Sequence, residues 1–179
     1  MYMNYFIGLE YGQEYYKYPD KIVDLSTKQR TIDKIITDCF EQIVYSINQP
    51  TGARNFQAVF WNVAYYDKYY FESLFGNFFF PDGSQPDWNS LSWLQKRFMK
   101  WFNKERTRTV LTFPVETMAL LTKDGDVLDK EYGDFTAEMY SEGHSFFTYM
   151  SDNADSLSSC CRLRNEICLL YTSDAADEL

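Results

Sequence analysis

The chain has 179 residues, of which 45% are hydrophobic and 24% charged, the balance of one ordinary globular domain. Its 17 Lys and Arg stand against 26 Asp and Glu, a formal charge of −9, so it lacks the basic footprint of a nucleic-acid polymer binder or an anionic-membrane binder. No charged stretch leading into an apolar run opens the sequence and no apolar run reaches the length of a membrane span, so no membrane and a cytoplasmic location are expected.

Ile32, Ile35, Ile36, Cys39, Phe40, Ile43, Val44 and Ile47 recur at the spacing of one helix face, which predicts a helix started by a Ser26–Gln29 capping box and stopped by Asn48, Pro50 and Gly52. Cys39 on that stripe reads as packing. The run from Phe56 to Val63 is short, aromatic and β-branched, as in a strand covered on both faces of a parallel sheet. Gln57 and Asn62 are its polar exceptions. Each needs a partner if buried, and such groups at the end of a parallel strand often face a ligand. Residues 64 to 87 are rich in Tyr and Phe and close in a breaker-rich loop, Pro81 to Pro86. Asp87 then caps a helix whose stripe is Leu91, Leu94, Phe98, Trp101 and Phe102. Thr109 to Phe113 reads as a second buried strand. Val115 to Thr122 is apolar without a clear period, Asp124-Gly125 signals a turn, and Asp134 to Met150 reads as a third helix interrupted by Gly143. Strand and helix in alternation predict an α/β fold with a parallel component.

The aromatic content is 19%, with 15 Tyr, 15 Phe and 4 Trp, which predicts a dense aromatic core, the other reading being an exposed stacking surface. Four cysteines, Cys39, Cys160, Cys161 and Cys168, are too few and too uneven for a disulfide framework. There is no P-loop, no Gly-rich dinucleotide loop, no nucleophile elbow and no metal-spaced His or Cys set. His144 is the single histidine and reads as structural or solvent-facing. What remains is Ser159-Cys160-Cys161-Arg162-Leu163-Arg164, where two arginines beside vicinal thiols favour the thiolate and hence redox or nucleophilic use.

The order of Asp38-Cys39-Phe40-Glu41, the Gln-Pro-Thr-Gly turn, the Trp-bearing helix, Thr112-Phe113-Pro114-Val115, Lys123-Asp124-Gly125 and the closing Ser-Cys-Cys-Arg resembles the central part of the anaerobic (class III) ribonucleoside-triphosphate reductases. The resemblance implies part of a ten-stranded α/β barrel of the glycyl-radical type, a half-barrel with surrounding helices. It implies conversion of ribonucleoside triphosphates to deoxyribonucleotides, with Cys161 as the thiyl residue that abstracts the 3′ hydrogen of the ribose; Cys160, at a position where better-known members commonly carry Gly, is the second candidate catalytic thiol, either a reductant or merely a neighbour of Cys161. Asn62, Gln57 and Arg162 become the expected substrate-binding residues. It also implies a glycyl radical, a zinc module, ATP and dNTP effectors, a radical-SAM iron–sulfur activating enzyme and a homodimer. The sequence contains neither a glycyl-radical segment nor a Cys-rich zinc module, so the 179-residue chain alone is expected to be inactive.

Residues 1–167 are expected to form a fragment of the catalytic barrel domain. The end of the chain from Cys168 changes character and resembles the in-frame translation of a sequencing adapter, so residues 168–179 are expected to be an artefactual tail. Two other readings compete. One is a non-enzymatic, aromatic-rich module of the glycan-binding type, which requires solvent-facing rings; the other is a different glycyl-radical enzyme, related to the pyruvate formate-lyases.

Overall fold

The computed structural model describes residues 1–24, 30–50, 58–154, 156–158 and 164–166. Helix α1 (Tyr2–Tyr11) and a single 3₁₀ turn at Tyr15–Lys17 precede a short antiparallel pair, β1 (Ile22–Asp24) and β2 (Arg30–Thr31). Helix α2 (Ile32–Asn48) follows at once. Its cap is Thr31, whose hydroxyl accepts from the Lys34 N–H at 3.2 Å, so the expected capping box does not start it; Ser26 and Gln29 lie outside the described residues. Its buried stripe is Ile32, Ile36, Phe40 and Val44, while Cys39 is half-buried and Ile43 exposed.

The main sheet is mixed. Strands β3 (Asn62–Tyr66), β4 (Val115–Lys123) and β6 (Phe147–Ser151) run parallel with β4 in the centre, and β5 (Asp126–Val127) folds back on the end of β4. The hairpin turn is the expected Asp124-Gly125, both with positive φ (53° and 85°), the backbone that a tight two-residue hairpin requires. Between β3 and β4 lie α3 (Lys68–Phe75) and α4 (Trp88–Arg106); α5 (Lys130–Ser141) connects toward β6. The crossover helices are what parallel pairing demands. A separate antiparallel pair, β7 (Ser156–Ser158) with β8 (Arg164–Glu166), completes the described residues.

Several boundaries differ from the expectation. Of the expected first strand, residues 58–61 form no strand and β3 begins at Asn62, while Phe56 and Gln57 lie outside the described residues. The aromatic stretch after it holds α3, capped by Asp67. Residues Thr109 to Phe113 form no strand: the Asn48 carbonyl oxygen of α2 accepts from the Thr112 and Phe113 N–H groups (2.9 and 3.0 Å) and its amide donates to the Phe113 carbonyl (2.7 Å), so a side chain occupies the groups a neighbouring strand would use. The third helix begins earlier and stops at Ser141; Gly143, at φ 83°, turns the chain into β6. The described strands form small open sheets and no barrel is seen among them.

One face of the sheet carries the aromatic core. Phe40 of α2 meets Phe98 edge-on at 5.0 Å, Phe98 stacks on Phe102 at 5.8 Å, and Tyr65, Met118 and Leu120 pack with Tyr132, Phe135 and Met139 of α5. On the edge of β3, the Gln95 side chain of α4 accepts from the Tyr66 N–H (3.0 Å) and donates to the Tyr66 carbonyl (3.4 Å).

Candidate functional site

In-register parallel neighbours point to the same side and alternate along each strand. Val63 pairs with Glu116 and Tyr65 with Met118, so these face the helices; Asn62, Ala64 and Tyr66 of β3, Val115, Thr117, Ala119 and Leu121 of β4, and Phe147, Tyr149 and Ser151 of β6 share the other face. That second face is built largely of small and hydroxyl side chains. At its C-terminal end Asp67 is fully buried. Its Oδ1 accepts from the Tyr70 N–H at 2.8 Å, capping α3, and its Oδ2 accepts from the Leu121 N–H at 2.6 Å, which ties β3 to β4. Burial raises its pKa, and the hydrogen bonds from the backbone pull the other way.

Of the expected site residues, Asn62 is described. It is the first residue of β3, on the second face, and its Oδ1 is buried with no hydrogen-bond partner among the described residues. A buried amide oxygen without a donor costs about 1–3 kcal/mol, so a group from outside the described residues has a reason to bind there. Gln57, Cys160, Cys161 and Arg162 lie outside the described residues; in sequence, residues 159–163 fall between the paired strands β7 and β8. His144 pairs with Glu142 at 2.9 Å, and no group of three or more His, Cys, Asp or Glu among the described residues could hold a metal ion. No helix among them is long and apolar enough to cross a membrane.

A polar cluster escaped the sequence reading. Glu116, the second residue of β4, has a side chain with 0% exposure and accepts from the Tyr65 hydroxyl at 2.7 Å. Arg106, the last residue of α4, donates to it at 3.4 Å, to the side-chain Oδ1 of Asn103 at 3.5 Å and to the Ser145 backbone carbonyl at 3.1 Å. Burial pushes the Glu116 carboxyl up to about 7 even though Tyr65, Arg106 and Asn103 all favour its charged form. Burial and the neighbouring Glu116 together drive the Tyr65 hydroxyl well above its ordinary range. The one signal available in the sequence was a lone carboxylate inside the apolar run Val115 to Leu121.

A family model described as anaerobic ribonucleoside-triphosphate reductase matches residues 1–176. The solved anaerobic ribonucleotide reductase of Thermotoga maritima with citrate in the active site is 30% identical at a TM-score of 0.69, over 86% of this chain and 25% of that one. The same enzyme in complex with dATP and CTP is 31% identical at 0.69, over 89% and 25%; with dATP bound in the specificity site it is 30% identical at 0.68, over 86% and 24%. The chain thus spans about a quarter of the length of these solved reductases. No curated protein matches the sequence. These matches do not favour a pyruvate formate-lyase relative, and the burial of Phe40, Tyr65, Phe98, Trp101, Phe102 and Tyr132 in one cluster counts against an aromatic platform. With a mixed α/β sheet whose three main strands run parallel and a family match over nearly its whole length, the chain belongs to the anaerobic ribonucleoside-triphosphate reductase family.

Proposed function

We propose that residues 1–167 form part of the catalytic barrel domain of an enzyme that reduces ribonucleoside triphosphates to deoxyribonucleotides, with residues 168–179 an artefactual tail. The match of the family model to residues 1–176 carries the reductase part of this reading; the tail rests on the change of character in the sequence from Cys168. The parallel strands β3, β4 and β6, with α2, α4 and α5 packed on one face, support a partial barrel whose second face looks inward. The pairing of β7 with β8 on either side of residues 159–163 in sequence supports a fingertip that bears Cys160, Cys161 and Arg162.

In this reading the family's glycyl radical, on a segment outside this sequence, supplies one-electron hydrogen abstraction. Cys161 gives up its thiol hydrogen and then takes the 3′ hydrogen of the ribose, its S–H bond re-forming as the C–H bond breaks. Cys160 is the neighbouring thiol in sequence, with the role of a reductant in this proposal. Arg162 offers a fixed positive charge, and Gln57 and Asn62 offer amides, the Asn62 oxygen having no donor among the described residues and so being open to one from substrate. The activating enzyme, the homodimer, dATP-type effectors and a zinc module held elsewhere belong to the same proposal.

The test is made in the intact reductase. Cys161→Ser should abolish turnover with nucleotide binding intact, because an alcohol O–H bond is too strong for the exchange. Asn62→Ala should raise KM by about tenfold, the weight of one hydrogen bond. Turnover that survives Cys161→Ser removes Cys161 from this role.

A further inference from the structure

Glu116 lies on the opposite face of the sheet from Asn62, and with Arg106 it joins more elements than a stabilising pair needs to. One guanidinium nitrogen at the end of α4 reaches the carboxylate at the start of β4 and the Ser145 carbonyl in the run that leads into β6. Through the Tyr65 hydroxyl the same carboxylate holds β3. All three parallel strands are thereby referred to a single pair of side chains. The Arg106 side chain also lies over the Phe102 ring, 5.3 Å from its centre, which fixes its direction.

The pair is a poor stabiliser. Taking a carboxylate out of water costs more than one long ion pair returns, and the elevated proton affinity of Glu116 records that cost. An arrangement that spends stability to fix the relative heights of three strands has the character of a positioning device. The run it reaches leads into β6, which continues in sequence toward Cys160 and Cys161.

We propose that Arg106, held by Glu116, is a positioning residue that sets the height of β6 against β4 and so fixes where the chain leaves the sheet toward the two cysteines. Its functional half rests on the reductase reading given above. The groups that face Glu116 are Tyr65 from β3 and Asn103 and Arg106 from α4; Tyr132 of α5 lies beyond Tyr65, and in the connection to β6 His144 is engaged with Glu142. When Glu116 is charged it retains Arg106. When it takes a proton, the Coulombic hold is lost, and a side chain already 32% exposed moves toward solvent.

The test uses the intact reductase and two readouts, backbone hydrogen exchange over residues 145–151 and steady-state kinetics. In the wild type, protection of β6, corrected for intrinsic exchange, should fall on the order of fivefold as the pH is lowered from about 8 to about 6. Glu116→Gln and Arg106→Gln should show the low value at every pH. Their kcat should fall on the order of tenfold to a hundredfold with KM nearly unchanged, as expected of misplacement rather than lost binding. Arg106→Lys, which restores the charge, should recover most of kcat, a rescue that a packing role would not give. Protection that is flat with pH in the wild type, a measurement that needs no variant, overturns the clamp whatever the kinetics do. Altered protection with unchanged kcat overturns the positioning role. A wild-type enzyme without turnover overturns the reductase reading, while the exchange data still decide the clamp.

Discussion

Glu116 binds its proton more tightly in the folded chain than in the unfolded one, because burial raises its pKa from 4.5 to about 7. Between those two values the folded state holds a proton that the unfolded state has released, so this group adds stability as the pH falls through 7, levelling off near 4.5. The full shift is worth about 3 kcal/mol. Thermal melts should therefore show Tm rising as the pH is lowered from about 8 toward about 5, and Glu116→Gln should flatten that slope and raise Tm at the alkaline end. An unchanged slope in the variant would place the titration elsewhere. Asn62 stood out in the sequence as a carboxamide inside an aromatic run, and its oxygen is buried without a donor among the described residues. The Glu116 cluster was not, since only the pairing of Val63 with Glu116 brings Tyr65 and the end of α4 to the same carboxylate.

Asp67 acts between elements. It caps α3 with one oxygen and, with the other, takes the Leu121 N–H of β4. Loss of the cap costs about 1 kcal/mol, and a buried N–H left without an acceptor about 1–3 more. Asp67→Ala should accordingly lower stability in urea by about 3 kcal/mol, against about 1 for Asp87→Ala, whose side chain caps α4 alone. Equal losses would show that the bond to β4 carries nothing. Helix α4 was readable from the sequence because its cap and its apolar stripe agree. Helix α3 was not: Tyr69, Tyr70, Phe71 and Phe75 blur its period, and its cap hides among aromatics. The strand before Pro114 was misplaced because Thr112 and Phe113 look like strand residues but give their N–H groups to Asn48. Gly143 was seen as an interruption, yet its positive φ ends α5 and the period changes from helix to strand within a few residues.

At the scale of the whole molecule, the alternation of strand and helix revealed the parallel α/β architecture, while the extent of the sheet depends on pairings that periodicity does not encode. Strand β3 lies at the margin of the described sheet, and such an edge is a template for unwanted pairing. The Gln95 fork blunts it at Tyr66. Gln95→Leu keeps a good helix former on α4 but strips two backbone groups of their partners, at a cost of about 1–2 kcal/mol. The variant should self-associate at concentrations where the parent does not, as read by light scattering over a dilution series; matching curves would show that the fork has no protective role. The same two bonds act as a ruler. A carboxamide that imitates the backbone of a neighbouring strand marks where that strand must stop, so any segment that comes to lie along this side of β3 pairs below Tyr66 or has to evict the amide first.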